Sequence, residues 1–418
     1  MDRSGSMRYG IRGDSLAARI AQGSLRGFAP LVSVRVCPWD PASPLGLDEL
    51  AELAASLARG GLLDVLSISA ARSPGGPAPD RPEDYERIWE AARPMMLRSH
   101  PGTLDLGARV RMLEERIDPA WHSLSFWWYS RLDGRGPYPV LENLREQFGA
   151  LDYIATTGKP LEADLPRHLL ACGADDVSIV VAGYIAAKAA KRTGVQKLVL
   201  ELLVGARGRG AKDLARARAL LHLVRELEGG DFRVYVQPRI ADDSRPREGG
   251  SSLARLAAAA VLMDDIEAWD TNSPEIVDLS GHSGPDNLDA ETIEASIRLT
   301  RHAFVEYRRM KGGGLVADMA TNPAVLLRTS EILAEARATI AAIESSLRSP
   351  YSAEGFHEIL KLGFLALPRL AGSREEFPGA LRWRTRLENG AVVIVDASGR
   401  VLPARARLPA IVDAAGRI

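Results

Sequence analysis

Between residues 29 and 312 the chain alternates short apolar runs with segments of helical spacing, eight times over and with little interruption. Parallel strands need a crossover of a dozen or more residues, and a helix usually supplies it. The strand signals fall at 31–37, 63–69, 94–98, 123–128, 152–156, 197–204, 232–237 and 266–270. The helical segments that follow them fall at 47–59, 82–92, 104–115, 139–148, 176–191, 211–228, 250–263 and 288–311. In the first of these, Leu47, Leu50, Leu53 and Leu57 recur near helical intervals. Eight strands with eight helices satisfy a closed (β/α)8 TIM-type barrel, an α/β fold of roughly 250 residues. Periodicity alone fits an open doubly wound sheet as well.

The flanks complete the expected layout. Residues 1–28 are polar and glycine-punctuated, an N-terminal arm packed on the body, and 29–312 form the barrel. The run KGGGL at 311–315 leads into a C-terminal α+β extension, 313–418. There, helices are expected at 323–347 and 354–365, with a hairpin whose turn signals are Asn389-Gly390 and Ser398-Gly399.

Composition excludes several classes of function. The 418 residues carry 53 basic and 54 acidic side chains, so no global field favours nucleic acid or an anionic membrane. Two cysteines, Cys37 and Cys172, are too few for a disulfide framework or a zinc site. The first twenty residues lack the apolar core of a signal peptide, and no run of about 18 apolar residues occurs. A soluble protein of the reducing cytoplasm is expected.

Three arginines stand at or near the ends of the first three strand runs: Arg35, Arg72 and Arg98. Barrels of this kind keep their active sites at the carboxyl ends of the strands. Arginine's planar fork matches both oxygens of a carboxylate and keeps its charge. Together the three can clamp a small molecule with two carboxylates, although each could equally pair with an Asp or Glu at the rim. Among weaker signals, GARGRG at 205–210 could cradle a phosphate and His282 could turn a loop, while the SFWWY cluster at 125–129 reads as packing.

From about residue 31 to 405 the chain resembles the large catalytic subunit of glutamate mutase (methylaspartate mutase), an adenosylcobalamin enzyme built on a (β/α)8 barrel. The resemblance rests on ordered fragments: Val34-Arg35 before LDELAEL, SISAAR, PMMLRSHPGT, SLSFWWY, SPEIVDLSG and the tail ALPRLAGSREEFPGALRWRTRLENGAVVIV. It implies that Arg35, Arg72 and Arg98 grip the two substrate carboxylates, with Phe126 in place of one fourth-strand tyrosine and Tyr129 or Ser130 in place of the other. It further implies a cofactor-facing set of Cys37, Asp270, Glu275 and Leu279, with Asp270 or Thr271 standing where the family has a lysine. The reaction implied is a reversible carbon-skeleton rearrangement, glutamate to 3-methylaspartate in the family, whose radical chemistry the cofactor supplies.

The family's fourth strand also carries a glutamate for the substrate ammonium, whereas residues 120–130 here include no acidic residue. A substrate with a masked or missing amino group is therefore expected; if free glutamate is the substrate, Glu201 is the first candidate to hold the amine. The cobalamin-binding Asp-x-His-x-x-Gly loop is absent from the sequence. By resemblance, a separate small subunit provides it, and the large subunits form a homodimer. Two other readings stay open: a barrel lyase or isomerase that lost cobalamin, and a non-catalytic scaffold for a partner.

Overall fold

The computed structural model describes residues 15–25, 30–35, 46–69, 81–102, 104–127, 131–132, 137–163, 166–205, 210–240, 249–267, 274–279, 289–370 and 375–416. A helix, α1 (Ser15–Leu25), precedes β1 (Leu31–Arg35), α2 (Leu47–Gly60), β2 (Val65–Ser69), α3 (Pro82–Ala92), β3 (Met96–His100) and α4 (Leu106–Ile117). Then come β4 (Trp121–Leu124), α5 (Val140–Thr157), β5 (Leu161–Ala163), the short α6 (Pro166–Ala171), α7 (Asp176–Thr193), β6 (Lys197–Val204) and α8 (Ala211–Arg225). The last two units are β7 (Arg233–Ile240) with α9 (Gly249–Asp264), and β8 (Ile276–Asp278) with α10 (Ala290–Gly312). The eight strands are parallel to their neighbours and close in sequence order, β8 pairing with β1, which makes the fold a (β/α)8 barrel.

The C-terminal extension comprises α11 (Pro323–Ser346), α12 (Ala353–Leu362), α13 (Pro378–Leu381), the antiparallel pair β9 (Arg384–Glu388) and β10 (Ala391–Val395), and α14 (Ala404–Ala415). It packs α11 on α7 and α8, and α12 on α5. A buried ionic seam ties it to the barrel. Asp176 at the start of α7 pairs with Arg328 at 3.5 Å and Arg216 at 3.6 Å, and accepts the Val392 N–H at 3.3 Å. Arg216 in turn donates to the Leu203 carbonyl near the end of β6 at 3.0 Å. Among the described residues, no helix is long and apolar enough to cross a membrane.

Alternation sorts the strand residues into two faces. Outward residues join the helices in one large apolar core. Inward residues form layers: at the amino-terminal end Leu31, Val65, Trp121, Val199, Tyr235 and Ile276 pack together, with Leu16 of α1 sealing them from below. Within the segment 1–28, the described residues 15–25 thus form a helical plug, α1.

Of the strands whose bounds differ from their sequence-based positions, four bear on the site. Residues 152–156 belong to α5, because the apolar spacing Leu144, Leu151, Ile154 continues the helix; β5 is instead the three-residue LEA. β8 lies at 276–278, not at 266–270. β3 begins beyond Pro94, which has no N–H to give a ladder, so Arg98 occupies the middle of the strand rather than its end. β4 covers 121–124, which puts Phe126 after the strand.

Outside the barrel, between the sheet and α4, His122 is fully buried, its Nδ1 2.7 Å from Ser99 Oγ and its Nε2 2.9 Å from Glu114 Oε2. Burial holds its pKa below the ordinary 6.5, against the opposing pull of Glu114. A histidine kept neutral in the fold but free to protonate when unfolded leaves stability intact above the unfolded pKa. Stability then falls as pH drops from about 6.5 towards the folded pKa, by up to about 1.4 kcal/mol per pH unit. Urea unfolding at pH 8 and pH 5 is expected to show a smaller pH loss for His122→Asn than for the wild type; an equal loss would remove His122 as its source.

Candidate active site

Above the apolar floor, the barrel interior turns polar. Ser33, Ser67, Arg98, Ser123, Glu162, Glu201, Gln237 and Asp278, from the eight strands in turn, are all fully buried. The centre of this layer is Glu162. Its Oε1 accepts from an Arg98 Nη2 hydrogen and from Ser123 Oγ at 3.3 Å, and its Oε2 accepts from Trp121 Nε1 at 2.8 Å and Gln237 Nε2 at 3.1 Å. A carboxylate is acceptor-only, and four donors answer both oxygens. Arg98 reaches across to β8 as well, donating from Nη1 to Asp278 Oδ2 at 2.9 Å, and lies 4.0 Å from Glu201 Oε2. Glu201 accepts from Arg239 Nη1 at 3.0 Å.

One step further towards the carboxyl ends, the inward positions are Arg35 on β1, His100 on β3 and Arg239 on β7, with Ser125 just after β4. His100 Nε2 lies 3.0 Å from Ser125 Oγ. This upper layer, of guanidiniums, an imidazole and a hydroxyl above a carboxylate-rich one, is suited to hold oxygen anions at the mouth. Among the described residues, no group of three or more His, Cys, Asp or Glu is placed to hold a metal ion.

The sequence-derived candidates fare differently. Arg35 is at the mouth. Arg98 is two residues deeper, where two carboxylates already engage its fork. Phe126 is buried away from the interior, its ring 5.7 Å from that of Phe148 and 5.9 Å from that of Phe356 on α12. Its role is packing against the C-terminal extension. Leu279 directly follows β8 and is buried, its N–H donating to the Ser33 carbonyl at 2.9 Å.

Glu275 precedes β8 and so lies at the amino-terminal end of the barrel, opposite the mouth. There it accepts the Val236 N–H at 2.8 Å, and burial pushes its pKa up. That place does not suit a contact with a cofactor over the mouth; the displacement follows from β8 lying after this residue instead of before it. Arg72, Tyr129, Ser130, Cys37, Asp270 and Thr271 lie outside the described residues, as do 206–209 of the glycine-rich loop and His282.

Glu162, Gln237, Arg239 and Asp278 escaped the sequence reading. Their signal was an isolated polar residue inside a strand-like run, as in LEA, VYVQPRI and IVD. Glu201, the candidate amine partner, does face the interior. The described interior thus takes its acidic residues from the fifth, sixth and eighth strands and none from the fourth.

No family model matches this sequence, and no curated protein matches it. Similar solved structures include phospho-2-dehydro-3-deoxyheptonate aldolase from Thermotoga maritima, 13% identical over 69% of this chain and 71% of that one, with a TM-score of 0.38. A Burkholderia cenocepacia protein described as a lyase/mutase is 14% identical over 74% of this chain and 94% of that one, with a TM-score of 0.33. The carboxyl transferase domain of Rhizobium etli pyruvate carboxylase is 13% identical over 84% of this chain and 60% of that one, with a TM-score of 0.34. Likenesses this distant bear on neither activity nor substrate.

The placement of Arg98 gives a direct expectation. Lysine keeps the charge but has no fork, so Arg98→Lys leaves Asp278 or Glu162 short of a partner. Breaking a buried pair costs about 3–5 kcal/mol, and urea unfolding should register a loss of that size. Unchanged stability together with weakened binding of a dicarboxylate would instead return Arg98 to the clamp.

Proposed function

We propose that this chain is a barrel enzyme acting on a small acidic amino acid, or a derivative of one, at the carboxyl-terminal mouth of its strands. The observation that carries the reading is the charged interior: Arg35 and Arg239 lie at the level where a barrel receives its substrate, above a layer containing Glu162, Glu201 and Asp278. Guanidiniums suit substrate carboxylates, and acidic groups beneath them suit an ammonium. Glu201, turned into the interior from the sixth strand, stays the first candidate to hold a free amine, so glutamate and aspartate are tested beside their N-masked derivatives.

The finer reading is a carbon-skeleton isomerase of the glutamate mutase kind, sharing adenosylcobalamin with a separate small subunit and pairing with a second large subunit. The ordered sequence fragments support it. The cofactor, when bound, supplies the radical chemistry; this chain's residues would bind and orient the substrate and exclude water. Glu275, on the far side of the barrel, does not fit the expected cofactor set, so no step is assigned through that group. The same observation favours a second reading, a lyase or isomerase of the same substrate class without cobalamin.

Assay of the chain with glutamate, aspartate and their N-acyl derivatives separates these readings, with and without adenosylcobalamin and a small cobalamin-binding subunit. The mutase reading expects weak cobalamin binding by the chain alone and turnover only in the complete mixture. Turnover without cobalamin supports the second reading, and failure of every dicarboxylate to bind contradicts both.

A further inference from the structure

One rung of the barrel sets a hydroxyl between two arginines. The ladder of β1 with β2 puts Arg35 in register with Ser67, and the ladder of β2 with β3 puts Ser67 in register with Arg98. All three positions face inward, so the three side chains stand on neighbouring strands along one wall of the interior. Ser67 is fully buried, and its Oγ has no hydrogen-bond partner. Arg98 commits its two Nη groups to Asp278, Glu162 and, at 3.5 Å, Ser123, while its buried Nε–H has no acceptor. Folded proteins pair nearly all their buried polar atoms, because an unmade buried hydrogen bond is costly. The Nε–H can only donate and a hydroxyl can do so. Two such donors side by side, one of them on a cation, match an acceptor oxygen that carries negative charge.

We infer that Ser67 is a binding residue of the substrate site, its hydroxyl donating, beside the Nε–H of Arg98, to an oxygen of a carboxylate that Arg35 receives at the mouth. The inference rests on the acidic-substrate reading above and brings the second strand into the site. Serine is the smallest side chain that supplies such a donor, and it adds no further positive charge between the two arginines. Arg98 thereby keeps its Nη groups in the strut and turns a third donor to the ligand.

Thermal melts and calorimetric titration of the full chain with glutarate, glutamate and aspartate test the assignment together. A hydroxyl without a partner does not support the ligand-free protein, so Ser67→Ala should melt within about 2 °C of the wild type. The same variant should bind the tightest of the three ligands about tenfold more weakly, the scale of one hydrogen bond to a charged group. Ser67→Cys keeps the volume with a donor too weak to replace the hydroxyl. It should bind as Ser67→Ala does, and it carries the decision if alanine lowers the melting temperature. Ser33, in register with Val65 and Asp278, lies one inward position below this rung, and Ser33→Ala should bind within about threefold of the wild type. Wild-type affinity in Ser67→Cys, or an equal loss in Ser33→Ala, overturns the inference while leaving the acidic-substrate reading standing. If none of the three ligands binds the wild type, both fall.

Discussion

The rest of the structure depends on one buried carboxylate. Glu162 receives hydrogen bonds from Arg98, Trp121, Ser123 and Gln237, and so joins β3, β4 and β7 to β5 through the centre of the barrel. Burying a charge is costly unless it is paired and hydrogen-bonded, and removing one partner leaves the others stranded. The polar layer is therefore a set of mutual obligations. Arg98 is held between Glu162 and Asp278, and Glu201 between Arg98 and Arg239. A barrel filled with aliphatic side chains would be closed by packing alone, whereas this one is also laced across its axis.

That lacing divides the interior by task. Below it, an apolar floor and the α1 plug seal the amino-terminal end. Above it, the mouth carries the groups able to meet a ligand, and the C-terminal extension braces one side of that mouth. Arg216 links the end of β6 to Asp176, and Asp176 holds Arg328 and the backbone of β10. The extension thereby steadies the strand ends, and Phe126 serves the same junction from β4 by packing on α12.

What could be read from the sequence followed from strand length and polarity. The run KLVLELLV is eight residues and nearly all apolar, and β6 occupies those same residues, 197–204. β5 and β8 have three residues each, and each carries an acidic side chain turned inward, so neither shows the apolar run that marks a buried strand. Misplacing β8 carried Glu275 to the wrong end of the barrel, and starting β3 at Pro94 carried Arg98 to the mouth. The barrel was legible because eight repeats outvote two misplaced strands. The site was less so, since a shift of two residues moves a side chain from the mouth into the core while leaving it on the same face.

The central claim is that Arg98 and Glu162 act on each other as an internal strut before they act on any ligand. A double-mutant cycle in urea unfolding, using Arg98→Met, Glu162→Gln and the pair, measures that interaction with no substrate present. Residues in one buried network couple by about 0.5–3 kcal/mol, and a value in the upper half of that range is predicted here. Additivity within about 0.3 kcal/mol, the behaviour of independent sites, would contradict the account.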